Sequence, residues 1–111
     1  MIMLDEIETT HRLKALDILT VVSEALTAQD RGLVTLPAES YLGWETENGE
    51  EARSIAMHAR IGGPSPAAGV KIINANPTNP TRGWPRATGL TMVFDDRSAR
   101  VIAVMPSEEI S

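Results

Sequence analysis

From Gly32 onward, the chain is divided into short apolar runs separated by glycine, proline and acidic residues. Runs of this length are typical of strands and are too short for most helices. Two runs, at 55–61 and 90–94, alternate apolar and other residues, and a third, at 100–105, is apolar on both faces. Weaker candidates lie on the two sides of Pro37, at 33–36 and 41–44. Strands that follow one another through tight turns favour an antiparallel sheet.

A single helix is predicted before the strands, from about Thr10 to Asp30. Its apolar residues recur at helical spacing, and they are Ala15, Ile18, Leu19, Val22, Ala25 and Leu26. Thr9 or Thr10 is expected to cap its start, and Gly32 to end it. The sequence therefore predicts an α+β fold in which an N-terminal helix packs on a mostly antiparallel sheet.

An acidic hairpin is predicted between the weak strand 41–44 and the strand at 55–61. Asn48-Gly49 supplies residues that tolerate positive φ, as a tight two-residue connection requires. The surrounding glutamates, Glu45, Glu47, Glu50 and Glu51, are interpreted as a solvated turn.

Composition excludes several classes of function. The chain has 111 residues, a net charge of -5 and no cysteine, which predicts one domain without disulfides or thiolate zinc sites. Scattered basic residues argue against binding to nucleic acid or an anionic membrane. We expect a cytoplasmic protein without a membrane span. His11 and His58 lack a third ligand at metal spacing, so no metal site is predicted.

Lys71, one of two lysines, is the main candidate for a binding residue. It lies within the apolar strand from Gly69 to Ala75, so its ammonium must either meet an anion or extend to water. The following loop, residues 76–86, is rich in Asn-Pro and Gly-Trp-Pro turns and is predicted to form a shaped wall. Trp84 in this loop is either a packing anchor or an exposed subunit contact. His58 and Arg60 share a face that either lines a pocket or faces solvent.

Several short segments in order resemble the start of the ornithine cyclodeaminase/mu-crystallin family. They are Ala28-Gln29-Asp30-Arg31-Gly32, Pro37 to Ser40, Met57-His58-Ala59, Gly69-Val70-Lys71, Asn79 with Gly83-Trp84-Pro85-Arg86, Phe94-Asp95-Asp96 and Ile110-Ser111. The pattern is most similar to the branch that makes or oxidises N-substituted amino acids, including diaminopropionate-pathway enzymes. This resemblance implies that residues 1–111 are part of a substrate-binding and dimerisation domain, without the family's Rossmann domain.

The resemblance also implies roles for three side chains. Lys71 matches the strand lysine that holds the substrate carboxylate near the reacting carbon. Arg86 matches a position at the edge of the cofactor site, where a guanidinium meets a phosphate or carboxylate. Glu39 stands where many relatives place a cation. An acidic side chain at this position would favour a substrate amine over a second carboxylate.

The predicted function follows from this resemblance. We expect the substrate-side portion of an NAD(P)-dependent amino-acid cyclodeaminase or N-substituted amino-acid dehydrogenase, acting on a small amino-acid or carboxylate substrate. The sequence has no glycine-rich dinucleotide fingerprint, so NAD or NADP binding would need a second chain carrying the Rossmann domain, and a homo-oligomer is expected. The alternatives are a non-catalytic ligand-binding or dimerisation module and, less favoured, an autonomous lyase.

Overall fold

The computed structural model describes residues 1–107, so the Ile110-Ser111 segment of the resemblance lies outside the described residues. Within this range the chain forms two helices, α1 and α2, and seven strands, β1 to β7. In chain order the elements are β1 Ile2–Met3, α1 Glu6–Lys14, α2 Ile18–Asp30, β2 Val34–Thr35, β3 Ser40–Glu45, β4 Glu51–Ile61, β5 Ala67–Ala75, a 3-10 turn at Asn79–Arg82, β6 Ala87–Phe94 and β7 Val101–Pro106.

One sheet contains all the described strands, in the order β1-β7-β6-β5-β4-β2, with β3 also paired to β4. The pairing in residues 1–107 is antiparallel except between β1 and β7, which are parallel. The α+β prediction is therefore confirmed, because strands joined in succession by short turns pair with their neighbours. Strand β5, which carries Lys71, lies in the centre between β4 and β6.

The prediction of a single helix is wrong, because two helices, α1 and α2, occupy this region. Asp17 interrupts it: its carboxylate accepts hydrogen bonds from the backbone N–H and the hydroxyl of Thr20, at 3.2 and 2.7 Å, and so caps a new helix. Asp5, rather than Thr9 or Thr10, caps α1 by accepting from the Glu8 N–H at 2.8 Å. Thr9 instead lies buried inside α1.

The acidic hairpin forms, but its connection is longer than predicted. Glu45 and Glu51 are the last paired residues of β3 and β4, and five residues, 46–50, join them. Gly49 has a φ of 76°, whereas Asn48 does not adopt positive φ. The backbone N–H of Thr46 donates to the Glu50 carbonyl at 2.8 Å, which closes the loop.

The sheet and helices leave an unusually large apolar surface in solvent. Helix α1 contacts β7 and α2 contacts β4, but the apolar stripe of α2 stays exposed, with Leu19 84% accessible. The accessible surface is 8128 Å², whereas a compact protein of this mass exposes about 6,000 Å². The radius of gyration is 16.0 Å against about 13 Å for a compact chain of this length. The described chain therefore does not enclose a core of ordinary size.

Candidate functional site

Lys71 lies half-buried near the middle of β5. It pairs across the sheet with Met57 of β4 and Thr91 of β6. Direct partners on one face bring their Cβ atoms within about 5 Å of each other, so an apolar and a hydroxyl side chain flank the lysine. With residues 1–107 its ammonium forms no hydrogen bond or ion pair.

A hydroxyl pair beside Lys71 was not found from the sequence. Thr91 Oγ1 and Ser107 Oγ are 2.9 Å apart and share a hydrogen bond. Ser107 is fully buried, and its backbone N–H donates to the Gly89 carbonyl at 3.0 Å. Because the two residues are sixteen positions apart, only the pairing of β6 with β7 brings them together.

Glu39, predicted to contact the substrate, immediately precedes β3 and is exposed. Ser40 pairs with Ala56, so continuing the register by one residue places Glu39 across from Met57, the partner of Lys71. Two strand spacings, about 10 Å, then separate the backbone of Glu39 from that of Lys71. The printed ladder of β3 with β4 begins at Ser40, so Glu39 would share a row with Lys71 only if the same register continued.

Arg86, predicted to contact the cofactor, lies away from that row. Its carbonyl accepts a hydrogen bond from the Asn76 N–H at 2.9 Å, at the end of the β5–β6 ladder. Thr91 lies five positions after Arg86, which corresponds to about 17 Å along a strand. The exposed Arg86 is therefore placed at the rim of the sheet, at the end of the proline-rich loop.

A polar cluster fastens that loop to the acidic hairpin. Arg82 donates to both carboxylate oxygens of Glu50, at 2.7 and 2.8 Å. Asn76 Nδ2 donates to the same carboxylate at 3.0 Å, and the Thr78 hydroxyl donates to it as well. These bonds, first from Arg82 and then from Thr78, lower the pKa of the Glu50 carboxyl from 4.5 to about 2. In turn, the bond to Glu50 raises the pKa of Arg82.

The interpretation of the acidic turn as wholly solvated is wrong for Glu50, whose side chain is only 14% exposed. No sequence pattern marks this residue, because its partner Arg82 lies 32 positions away. Trp84 is 61% exposed, and the Arg82 guanidinium lies over its ring, 5.4 Å from the centroid. The indole is therefore not buried as a packing anchor in the described chain.

The face that carries His58 and Arg60 is open to solvent, as the simpler interpretation predicted. Arg60 forms a bidentate ion pair with Asp96, at 2.8 and 3.1 Å, and its hydrogen bond lowers the pKa of Asp96. His58 lies beside Phe94, with 6.5 Å between ring centroids. These contacts join β4 to the last residue of β6 and to the turn that follows it.

Two grooves of the described chain lie away from Lys71. One, of about 530 Å³, separates α2 from the end of β4 and is lined by Val21, Ala28, Arg31, Leu33 and Ile61. The other, of about 490 Å³, lies on the hairpin beside Tyr41 and Trp44. Neither contains a predicted site residue.

The described residues do not form a dinucleotide cradle. Such cradles use a parallel strand, a glycine-rich turn and a helix N-terminus, whereas the long strands of residues 1–107 are antiparallel. The same range holds no group of three His, Asp or Glu side chains that suits a metal ion. Neither of its helices has the length and apolarity needed to cross a membrane.

Comparison with known proteins finds similarity to amino-acid dehydrogenases. No family model matches it. It is 38% identical over 92 residues to N-((2S)-2-amino-2-carboxyethyl)-L-glutamate dehydrogenase of Staphylococcus aureus (strain NCTC 8325 / PS 47), which covers 81% of this chain and 27% of that protein. The crystal structure of CmnK superposes with a TM-score of 0.88 at 38% identity, over 97% of this chain and 33% of CmnK.

The chain corresponds to the N-terminal part of an ornithine cyclodeaminase-family protein. An archaeal alanine dehydrogenase dimer with bound NAD is similar at a TM-score of 0.75 and 27% identity, over 96% of this chain and 31% of that one. The Thermococcus litoralis Δ1-pyrroline-2-carboxylate reductase, in complex with NADH and L-proline, shares the fold at a TM-score of 0.79 and 19% identity, over 99% of this chain and 33% of that one. The chain thus spans about a quarter to a third of the length of these four proteins.

Proposed function

We propose that this chain is the substrate-side portion of an NAD(P)-dependent enzyme that acts on an amino acid, either as an N-substituted amino-acid dehydrogenase or as a cyclodeaminase. The observation that carries the proposal is the position of Lys71: a half-buried cation without a partner in residues 1–107, at the centre of the sheet. The similarity to an N-substituted amino-acid dehydrogenase supports the choice of substrate class.

Lys71 would bind the substrate carboxylate. An ammonium that is partly withdrawn from water forms a stronger ion pair than an exposed one, since the effective dielectric constant is lower. The Thr91 hydroxyl, in the next strand, would donate a further hydrogen bond to the same carboxylate while it accepts one from Ser107. Together they would hold the carbon next to the carboxylate in a fixed position above the sheet.

The nicotinamide supplies hydride transfer when the dinucleotide is bound. Of this chain's residues, only Arg86 is proposed to contact the dinucleotide, through a phosphate, because its exposed guanidinium sits at the sheet rim. Glu39 would repel a second carboxylate and attract an amine on the substrate. The remainder of the cofactor site would come from a Rossmann domain outside these residues.

The exposed apolar area supports association with further protein. The chain exposes roughly 2,100 Å² more than a compact protein of its mass, and obligate interfaces bury areas of this order. We propose that a Rossmann domain and a second copy of this domain cover the surface. A free-standing dimerisation module would bury the same area without the Rossmann domain, so area alone does not separate the two.

Native mass spectrometry of the purified chain, followed by ligand titration, tests the function. We expect a complex that contains a Rossmann domain, binds NADH and oxidises or forms an N-substituted amino acid. Lys71→Ala should weaken carboxylate binding about 10- to 100-fold, as expected for a lost charged hydrogen bond, with little change in melting temperature.

Lys14→Ala is the matched control, since Lys14 is the other lysine and is exposed on α1. It should leave both measurements unchanged. A stable homodimer that binds no dinucleotide under any condition would instead favour the non-catalytic module. Equal losses of affinity and stability in Lys71→Ala would show that the lysine is structural.

A further inference from the structure

The loop of residues 76–86 is held to the rest of the molecule chiefly through one carboxylate. Glu50 belongs to the β3–β4 connection, whereas its donors Asn76, Thr78 and Arg82 all belong to the loop. A carboxylate accepts several hydrogen bonds at once, and the bidentate guanidinium pair is the most directional of them. Removing this single acceptor would therefore leave three loop donors without their partner.

Two routes of hydrogen bonds continue from Glu50 to the backbone around Arg86. In the first, Asn76 donates its side chain to Glu50 and its backbone N–H to the Arg86 carbonyl at 2.9 Å. In the second, Arg82 donates to Asn79 Oδ1 at 2.9 Å, and Asn79 Nδ2 donates to the Pro85 carbonyl at 3.2 Å. Both routes end at or next to Arg86.

We propose that Glu50 is a positioning residue: its carboxylate holds residues 76–86 as a closed strap and thereby fixes the place of Arg86. The turn inside the strap has its own support, since the N–H groups of Gly83 and Trp84 donate to the Pro80 and Asn79 carbonyls at 3.2 and 3.1 Å. A short 3-10 turn is weak on its own. The side-chain bonds to Glu50 therefore decide whether the strap stays closed.

Amide hydrogen exchange tests the strap directly, on the chain as purified with any chain that accompanies it. Glu50→Gln should speed exchange of the Gly83 and Trp84 amides at least tenfold, on the order of the change expected when a local closed state loses its anchor. Amides in the β4–β5 ladder should keep their rates. Arg82→Lys should resemble Glu50→Gln, because an ammonium cannot make the two parallel bonds of a guanidinium.

Glu47→Gln is the matched control, since Glu47 lies in the same connection and makes no side-chain bond within the described residues. It should exchange like the wild type. Unchanged loop exchange in both Glu50→Gln and Arg82→Lys would overturn the proposal. A uniform increase over the whole sheet would also overturn it, since that result indicates global destabilisation.

The positioning of Arg86 rests on the proposed function and is tested by NADH binding to the assembled complex. Arg86→Ala should weaken NADH binding strongly, and Glu50→Gln should weaken it about tenfold without changing the turnover number. Loosened exchange with unchanged NADH affinity in Glu50→Gln would overturn the positioning role. If Arg86→Ala does not change the affinity for NADH, the proposed role of Arg86 is wrong. Amide hydrogen exchange then still tests whether Glu50 holds the strap.

Discussion

The centre of the sheet and the proline-rich strap differ in whether their cations have partners within the described chain. At the centre, Lys71 is half-buried and has no charged or hydrogen-bonded partner in residues 1–107. In the strap, the Arg82 guanidinium is engaged by Glu50 and Asn79 and lies over Trp84. A charge satisfied by its own chain stabilises structure, whereas a charge left unsatisfied on a half-buried surface is free to bind a ligand.

The two regions also differ in what maintains their geometry. The surroundings of Lys71 depend on backbone ladders, which continue on both sides of β5. The strap depends on side chains that converge on one carboxylate. Substitutions that disturb the backbone should therefore affect the centre, and substitutions of single polar groups should affect the strap.

The largest effect is expected from Gly89→Ala, which disturbs the ladder beside Lys71. A Cβ at this position would overlap the backbone carbonyl oxygen of Ile72, and backbone atoms in a central ladder cannot move aside cheaply. We expect the free energy of unfolding to fall by about 2 kcal/mol or more, measured by chemical denaturation. Gly62→Ala is the control, because the nearest atom there, at 3.2 Å, belongs to the flexible Arg60 guanidinium. Similar small losses of unfolding free energy in both variants would contradict the close approach of Gly89 to the Ile72 carbonyl oxygen.

An intermediate effect is expected when each cation is replaced by methionine. Arg82→Met should lower the melting temperature, because the Glu50 carboxylate loses two of its donors. Lys71→Met should leave the melting temperature unchanged or raise it, since it removes an unsatisfied charge and keeps the apolar stem. Arg60→Met serves as a reference for an exposed ion pair, which contributes little. A loss in Lys71→Met as large as in Arg82→Met would remove the distinction between the regions.

The smallest effect is expected from acid. Glu50 has a pKa of about 2 in the folded chain and an ordinary value of 4.5, so the unfolded state binds more protons between these values. The contribution of Glu50 to stability is therefore complete above pH 4.5 and is lost as the pH falls through about 2. Hydrogen bonds also lower the pKa of Asp17, Asp95 and Asp96, so the wild-type profile contains several contributions.

Comparison of acid denaturation in wild type and Glu50→Gln isolates this residue. The stability difference between the two proteins should be constant above pH 4.5 and shrink below it, while Glu47→Gln should follow the wild type. Parallel curves of stability against pH for wild type and Glu50→Gln, down to pH 2, would contradict a lowered pKa of Glu50 in the folded chain.

Local patterns predicted most of the strands but not the interruption of the helix. Strands β4 to β7 were expected from short apolar runs and alternation, which depend on neighbours along the chain. Asp17 was missed as a cap because the apolar stripe continues on both sides of it, from Ala15 to Ile18 and beyond. Strand β1 was also missed, since two residues carry no periodic signal and their pairing with β7 spans the chain.

The candidate site also contains residues that local sequence could predict and residues that it could not. Lys71 could be singled out because a lysine inside an apolar strand is unusual in itself. Glu50, Arg82, Thr91 and Ser107 gave no signal, because each acquires its meaning from a residue between 16 and 32 positions away.

The sequence alone determined the class of fold, the strand that carries Lys71 and the family resemblance, because each depends on the order and spacing of nearby residues. The tertiary structure decided which charges are satisfied and which are open, since ion pairs and hydroxyl contacts form across strands and between loops. It also revealed the extent of uncovered apolar surface. Sequence spacing cannot give that quantity, because burial depends on every element that packs against a residue.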